Sequence, residues 1–170
     1  SAPWLAKNAI EESSLFVNEI KAKLESGQEN KTKGMMLTAT ITEIKGGLSH
    51  NVTPRECDST LDIRIPVGTS CKSVEEKISE VVKEISKKQQ VEAFYSIIDE
   101  TEPFEAEHNS PLVRALTLGI LDIEKNRPTL IRKTGTGDMN VIGNKLSIPV
   151  VTYGPGDPHA AHTTDEKISI

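Results

Sequence analysis

The chain of 170 residues carries a formal net charge of −5, with 26% charged, 36% apolar and 4% aromatic residues. Its length allows an aliphatic core, either in one domain or in a small domain plus part of another. The acidic balance argues against a nucleic-acid surface, which needs clustered Lys and Arg, and no apolar run approaches the ~20 residues of a membrane span.

The sequence offers no secretory pattern, so no leader is expected. Cys57 and Cys71 are too few for a disulfide framework and lack metal-ligand spacing, so they read as reduced thiols of a cytoplasmic protein. The first residue is Ser rather than Met, which points to a processed chain or to a piece of a longer one.

Asn8 followed by Glu11 marks a helix start, the Asn capping and the Glu reaching back. Ile10, Val17, Ile20 and Leu24 then recur at helical spacing, and Gly27 is a natural stop. After a polar loop over 28–33, Leu37, Ala39 and Ile41 alternate with Thr38, Thr40 and Thr42, which predicts a half-buried strand. Gly46-Gly47 breaks it, and Asn51-Val52-Thr53-Pro54 forms a further loop. Ser59, Leu61, Ile63 and Ile65 alternate with Asp58, Thr60, Asp62 and Arg64, giving a second strand with Arg64 on its polar face. Ser73 with Glu76 predicts a capping box for a second helix, whose apolar face is Val74, Ile78, Val81, Val82 and Ile85. Lys87 and Lys88 suit its C-terminal dipole. Residues 91–98 read as a third strand.

Helix, strand, strand, helix, strand is the split βαβ order with its first strand absent. The predicted class is therefore α+β, with a ferredoxin-like domain over 1–98. One strand ahead of Ser1 would complete a four-stranded antiparallel sheet with two helices on one face. Without it an inner edge is open, and open edges seek partners; a genuine three-stranded domain is the alternative. Residues 99–107, acidic and containing Pro103, read as a linker and a solvated connector. In 108–170, Ser110-Pro111 opens a helix with Pro at its first position and Leu112, Ala115, Leu116, Gly119 and Ile123 as its buried stripe. Residues 129–133 and 148–153 read as short buried strands, with the glycine-rich loop Thr134-Gly135-Thr136-Gly137-Asp138 between them.

The side chains able to do chemistry concentrate near the end of the chain. His159 and His162 lie among Gly154, Pro155, Gly156 and Pro158, with Asp157, Asp165 and Glu166 beside them. They read as metal ligands or as two solvated imidazoles. As ligands they need further donors, because zinc takes about four. The Gly135–Asp138 loop could wrap a ligand with backbone N–H groups, or simply turn into a helix capped by Asp138; it lacks the spacing of a nucleotide loop. Arg64 is either a fork for a carboxylate or half of an ion pair, and Asn51 a turn-former. No Ser–His–Asp or Cys–His arrangement is present.

Asn51-Val52-Thr53-Pro54, Leu61-Asp62-Ile63-Arg64, Gly135-Thr136-Gly137-Asp138 and the run from Tyr153-Gly154-Pro155-Gly156-Asp157 through His162-Thr163-Thr164-Asp165-Glu166 occur in this order. In order and spacing they resemble the co-catalytic zinc hydrolases that include acetylornithine deacetylase, succinyl-diaminopimelate desuccinylase and glutamate carboxypeptidases. The resemblance covers essentially the whole chain. Arg132-Lys133 through Met139-Asn140 look closest to the archaeal branch, which releases lysine or ornithine from an amino-group carrier protein or acts as a deacetylase or carboxypeptidase in lysine and arginine biosynthesis.

The resemblance implies a lid and dimerisation domain over 1–98, a linker over 99–107, and the C-terminal part of an α/β catalytic domain over 108–170, with homodimerisation through the lid. It implies two zinc ions per full-length subunit, with cobalt as another option, and an N-acyl amino acid, a peptide C-terminus or a carrier protein as substrate. His162 matches the final metal ligand. Asn51 and Arg64 match substrate-contacting lid residues, Arg64 pairing with the α-carboxylate, and Gly135 and Thr136 match the substrate-binding turn. Gly137 stands where the family has Ser, so that hydroxyl is missing. Ser1-Ala2-Pro3 resembles the tail of a lid segment whose carbonyl-polarising His would precede Ser1. The catalytic Glu pair and the remaining acidic ligands have no counterpart here, so the segment alone should be inactive. The rival expectation is a non-catalytic ferredoxin-like dimerisation or ligand-sensing module.

Overall fold

A computed structural model describes residues 6–29, 31–32, 35–133, 135–154, 156, 164 and 167–168. By its internal contacts the chain divides into two units, Ser1–Pro103 with Ile131–Thr136, and Phe104–Leu130 with Gly137–Ile170. The fold is α+β.

In the first unit α1 spans Ala9–Glu25. Asn8 caps it, accepting from Ile10 N–H at 3.0 Å and donating from Nδ2 to Glu11 Oε1 at 3.1 Å. Phe16, Val17, Ile20 and Leu24 form its buried stripe, and Gly27 takes a φ of +72° just past the end, where a Cβ would be strained. Strands β1 (Thr38–Gly46) and β2 (Cys57–Arg64) pair antiparallel from Thr38↔Arg64 to Gly46↔Cys57. α1 lies against both strands and against α2, Cys71–Gln89. Their shared core is Phe16, Ile20, Leu24, Leu37, Ala39, Val74, Val81 and Ile85.

Gln28 ties the end of α1 to the start of β1. Its buried amide donates to Leu24 O and Leu37 O, and its Oε1 accepts from Leu37 N–H at 2.7 Å. A side chain thus supplies the backbone pairing that an adjacent strand would otherwise give.

Three expectations for this unit need correction. α2 is capped by Ser70, whose Oγ accepts from Ser73 N–H at 3.2 Å. A turn closed by Thr69 N–H on Pro66 O, with Gly68 at φ +91°, brings Ser70 in extended, so the cap lies three residues before the predicted one. The alternation of β1 holds for Leu37 and Ala39 but not for Ile41, which is 42% exposed. The register slips between Ile41 and Glu43, an extra residue in one strand that breaks the period of two. Among the described residues 91–98 join no sheet, and β1 pairs with β2 alone. Val91 and Ala93 pack on the core, while Phe94 and Ile98 are 88% and 82% exposed. In the split βαβ order the last strand pairs with the first, and among the described residues no strand precedes α1 to pair with it.

In the second unit α3 spans Pro111–Glu124, capped by Ser110 Oγ on Val113 N–H, and α4 spans Asp138–Leu146. The predicted stripe of α3 is wrong: Val113 and Ile120 are its buried residues, and Leu112 and Ile123 are exposed. α3 is apolar nearly all round, so periodicity selects no face; such helices suit burial on several sides. The predicted strands at 129–133 and 148–153 form no strand among the described residues, with Leu130, Ile131, Ile148 and Tyr153 exposed. Short apolar runs carry no register of their own and become strands only beside a neighbour.

Gly143 of α4 abuts the Phe104 ring, leaving no room for a Cβ. Gly143→Ala is expected to cost ~1–3 kcal/mol by overpacking. In a Phe104→Ala background the cost should vanish, a coupling that urea unfolding of the four variants measures.

Candidate functional site

The loop joining β1 to β2 turns at Gly47, φ +83°, and is tightened by Val52 N–H on Ser49 O at 3.3 Å. Ser49 Oγ bonds Asn51 Oδ1 at 2.8 Å, which orients the exposed Asn51 amide. Ala9 N–H donates to Pro54 O at 3.1 Å, fixing the loop to the start of α1. A shallow depression of about 500 Å³ lies here, lined by Asn8, Ile10, Gly47, His50, Thr53 and Pro54 among others.

Arg64 closes β2 at the far end of the ladder. Its guanidinium meets Asp62 Oδ2 at 2.6 Å, two residues back on the same polar face. Both side chains are about half exposed, so the pair is weak in itself and leaves the fork open to an incoming carboxylate. Seven strand steps of ~3.3 Å separate the Asn51 end from Arg64. The two predicted substrate residues therefore stand roughly 20 Å apart, and one copy of this hairpin cannot close both on a single amino acid.

Gly135 is half-buried and Thr136 exposed. The glycine-rich loop ends in a reciprocal pair: Gly137 N–H donates to Asn140 Oδ1 at 3.1 Å, and Asn140 N–H to Gly137 O at 2.9 Å. Gly137, not Asp138, is therefore the cap of α4, and Asp138 is its first helical residue. Asn140 N–H, which a Ser hydroxyl at 137 could accept, bonds the Gly137 carbonyl instead.

His162 and His159 lie outside the described residues. Among the described residues no three of His, Cys, Asp and Glu cluster closely enough to hold a metal ion. They do not by themselves supply the donor set that zinc needs.

One contact escaped the sequence. Glu102, expected in a solvated connector, places both carboxylate oxygens 3.2 Å from Cys71 N–H at the head of α2. Burial first, then the charges of Glu102 and Glu100, push the Cys71 thiol up to about 11. The signal available was the first turn of α2, which has no acidic residue of its own.

Residues 1–90 match the model of the M20 peptidase dimerisation domain. The chain belongs to that M20 family. It is 36% identical over 129 residues to a LysW-lysine/LysW-ornithine hydrolase of Saccharolobus islandicus, covering 76% of this chain and 34% of that protein. A Saccharolobus solfataricus hydrolase of the same name is 37% identical over the same shares. A Pyrobaculum aerophilum protein, assigned provisionally to the same activity, is 33% identical over 163 residues, 96% of this chain and 42% of its own. The M20 chain thus spans about a third to two-fifths of the curated relatives it matches. An M20 family metallo-carboxypeptidase from Sulfolobus solfataricus superposes with a TM-score of 0.54 at 18% identity, over 85% of this chain and 36% of that one. That likeness shows the fold. No helix among the described residues is long and apolar enough to cross a membrane.

Proposed function

We propose that this M20 chain is part of a metal-dependent hydrolase of amide bonds in N-acyl amino acids or peptide C-termini. Release of lysine or ornithine from a carrier protein in amino-acid biosynthesis is the leading substrate class. Residues 1–98 serve as its lid and dimerisation domain, 99–107 as a linker, and 108–170 as the C-terminal part of its catalytic domain. The observation that carries this is the 163-residue match to the Pyrobaculum protein. Only seven of the 170 residues fall outside it, so His162, Arg64, Asn51, Gly135 and Thr136 all lie within the shared region.

In this reading His162 contributes one imidazole to a zinc or cobalt centre whose other ligands lie outside this chain. The metal would polarise the amide carbonyl as a Lewis acid. Arg64 takes the substrate α-carboxylate in a charge-assisted, two-point contact. Asn51 and the Gly135-Thr136 turn hold polar groups of the substrate. The wide separation of Asn51 from Arg64 supports a homodimer in which the two residues of one site come from different copies.

Assayed in the complete hydrolase on N-acetyl-lysine and N-acetyl-ornithine, Arg64→Ala should raise KM roughly tenfold or more with a smaller change in kcat, because a contact made equally in ground and transition states is lost. Arg64→Lys should recover only part, lacking the planar fork. A KM unmoved by either substitution would remove Arg64 from the site.

A further inference from the structure

The outer edge of β1 is guarded along only part of its length. The N–H groups of Leu37 and Ala39, which point away from β2, are taken by side chains at the end of α1. Leu37 N–H donates to Gln28 Oε1 at 2.7 Å and Ala39 N–H to Glu25 Oε1 at 3.3 Å. Beyond them every residue from Thr40 to Gly46 is exposed, Ile41 and Ile44 at 42% and 48%. No described strand pairs on this side. An antiparallel strand turns alternate residues outward. The extra residue between Ile41 and Glu43 shifts that alternation by one, so Ile44 and Gly46 next present N–H and C=O outward. Edges left open in this way pair with another chain.

We propose that β1 pairs antiparallel with β1 of a second copy of this chain, with Ile44 on the two-fold axis. This rests on the homodimer of the proposed function, and residues 1–90 match a dimerisation domain. Gln28 and Glu25 block pairing at Leu37 and Ala39, and the turn at Gly47, φ +83°, ends the strand, so the open window is 40–46. A two-fold interface sets residue i against j and j against i. Centred on Ile44, it sets Glu43 of each copy against Lys45 of the other. The Glu43–Lys45 pairs that each strand holds at 2.7 Å then join into a ring of four alternating charges. Centred one residue either way, it sets Glu43 against Glu43 or Lys45 against Lys45, and like charges directly opposite are destabilising.

The test is the dimer Kd of the complete protein, measured by sedimentation. Glu43→Lys and Lys45→Glu should each raise it by about tenfold or more, because both cross-copy pairs turn from opposite to like charge. Mixed one to one, the two variants should form a heterodimer near the parent affinity. Every cross-copy pair is then opposite again, while each strand keeps its own like pair, so an effect within one strand cannot produce the rescue. If these variants fold poorly, Glu43→Gln decides: it should weaken the dimer, whereas a two-fold at Glu43 would have it strengthened. A dimeric parent whose variants dimerise as it does would overturn the register alone and leave the edge to another segment of the chain. A monomeric parent would overturn the register and the homodimer together.

Discussion

His162→Ala in the complete hydrolase should cut amide hydrolysis by more than ~100-fold, beyond the range seen when only an outer partner of a metal ligand is lost. A bound zinc holds about four donors, and removing one imidazole leaves a position that water fills at a large loss of affinity. Metal content should fall together with kcat. KM should move little, because Arg64, Asn51 and the Gly135-Thr136 turn are untouched. His159→Ala, three residues earlier in the same run, is the comparator: no role for it follows from the family pattern, and it should retain metal. A non-catalytic ferredoxin-like module would instead lose nothing on either substitution. Full metal content with parent activity in His162→Ala would therefore remove the hydrolase reading of this chain's last segment.

The second large effect is on stability, at Gln28. Its buried amide satisfies Leu24 O, Leu37 O and Leu37 N–H together. Gln28→Ala should destabilise the chain by about 3 kcal/mol, since each orphaned buried group costs ~1–3 kcal/mol and a cavity is added. Gln28→Leu fills the volume but cannot satisfy the groups, so it should recover little. Gln28→Glu keeps the acceptor for Leu37 N–H and loses the donor to Leu37 O, and should fall between. Urea midpoints of the three variants check the order. If Gln28→Leu restores full stability, packing rather than hydrogen bonding holds β1 to α1.

What the sequence made legible was local and strongly periodic. Asn8 with Glu11, the stripe through Leu24, the Thr-rich alternation around Ala39 and the β2 alternation all carry their own signal, and each became the element expected of it. Failures fell where structure depends on a neighbour. Residues 91–98 have strand chemistry but no strand among the described residues to pair with. Ile41 looked inward until the slip before Glu43 turned the alternation around. Ser73 is the cap expected of α2, but the Gly68 turn brings in Ser70, three residues earlier, to do so. α3 offered apolar residues on every side, so its spacing could not name the buried one. Glu102 illustrates the same limit from the other direction, because an acidic residue in a proline-containing connector looks solvated until a distant helix end is placed next to it.

The candidate site was legible in a different way. Its residues came from motif order, not from periodicity, and the structure describes four of the five. It separates Asn51 from Arg64 by the length of β2, which no linear motif could reveal. That separation is what a two-copy site requires and what a single-copy site cannot use.

The most direct test of the account is the number of metal ions bound per subunit of the complete protein, measured by elemental mass spectrometry after exhaustive dialysis, for the parent and for His162→Ala. The account predicts two in the parent and fewer in the variant. A metal-free parent that hydrolyses N-acyl-lysine at full rate would contradict it.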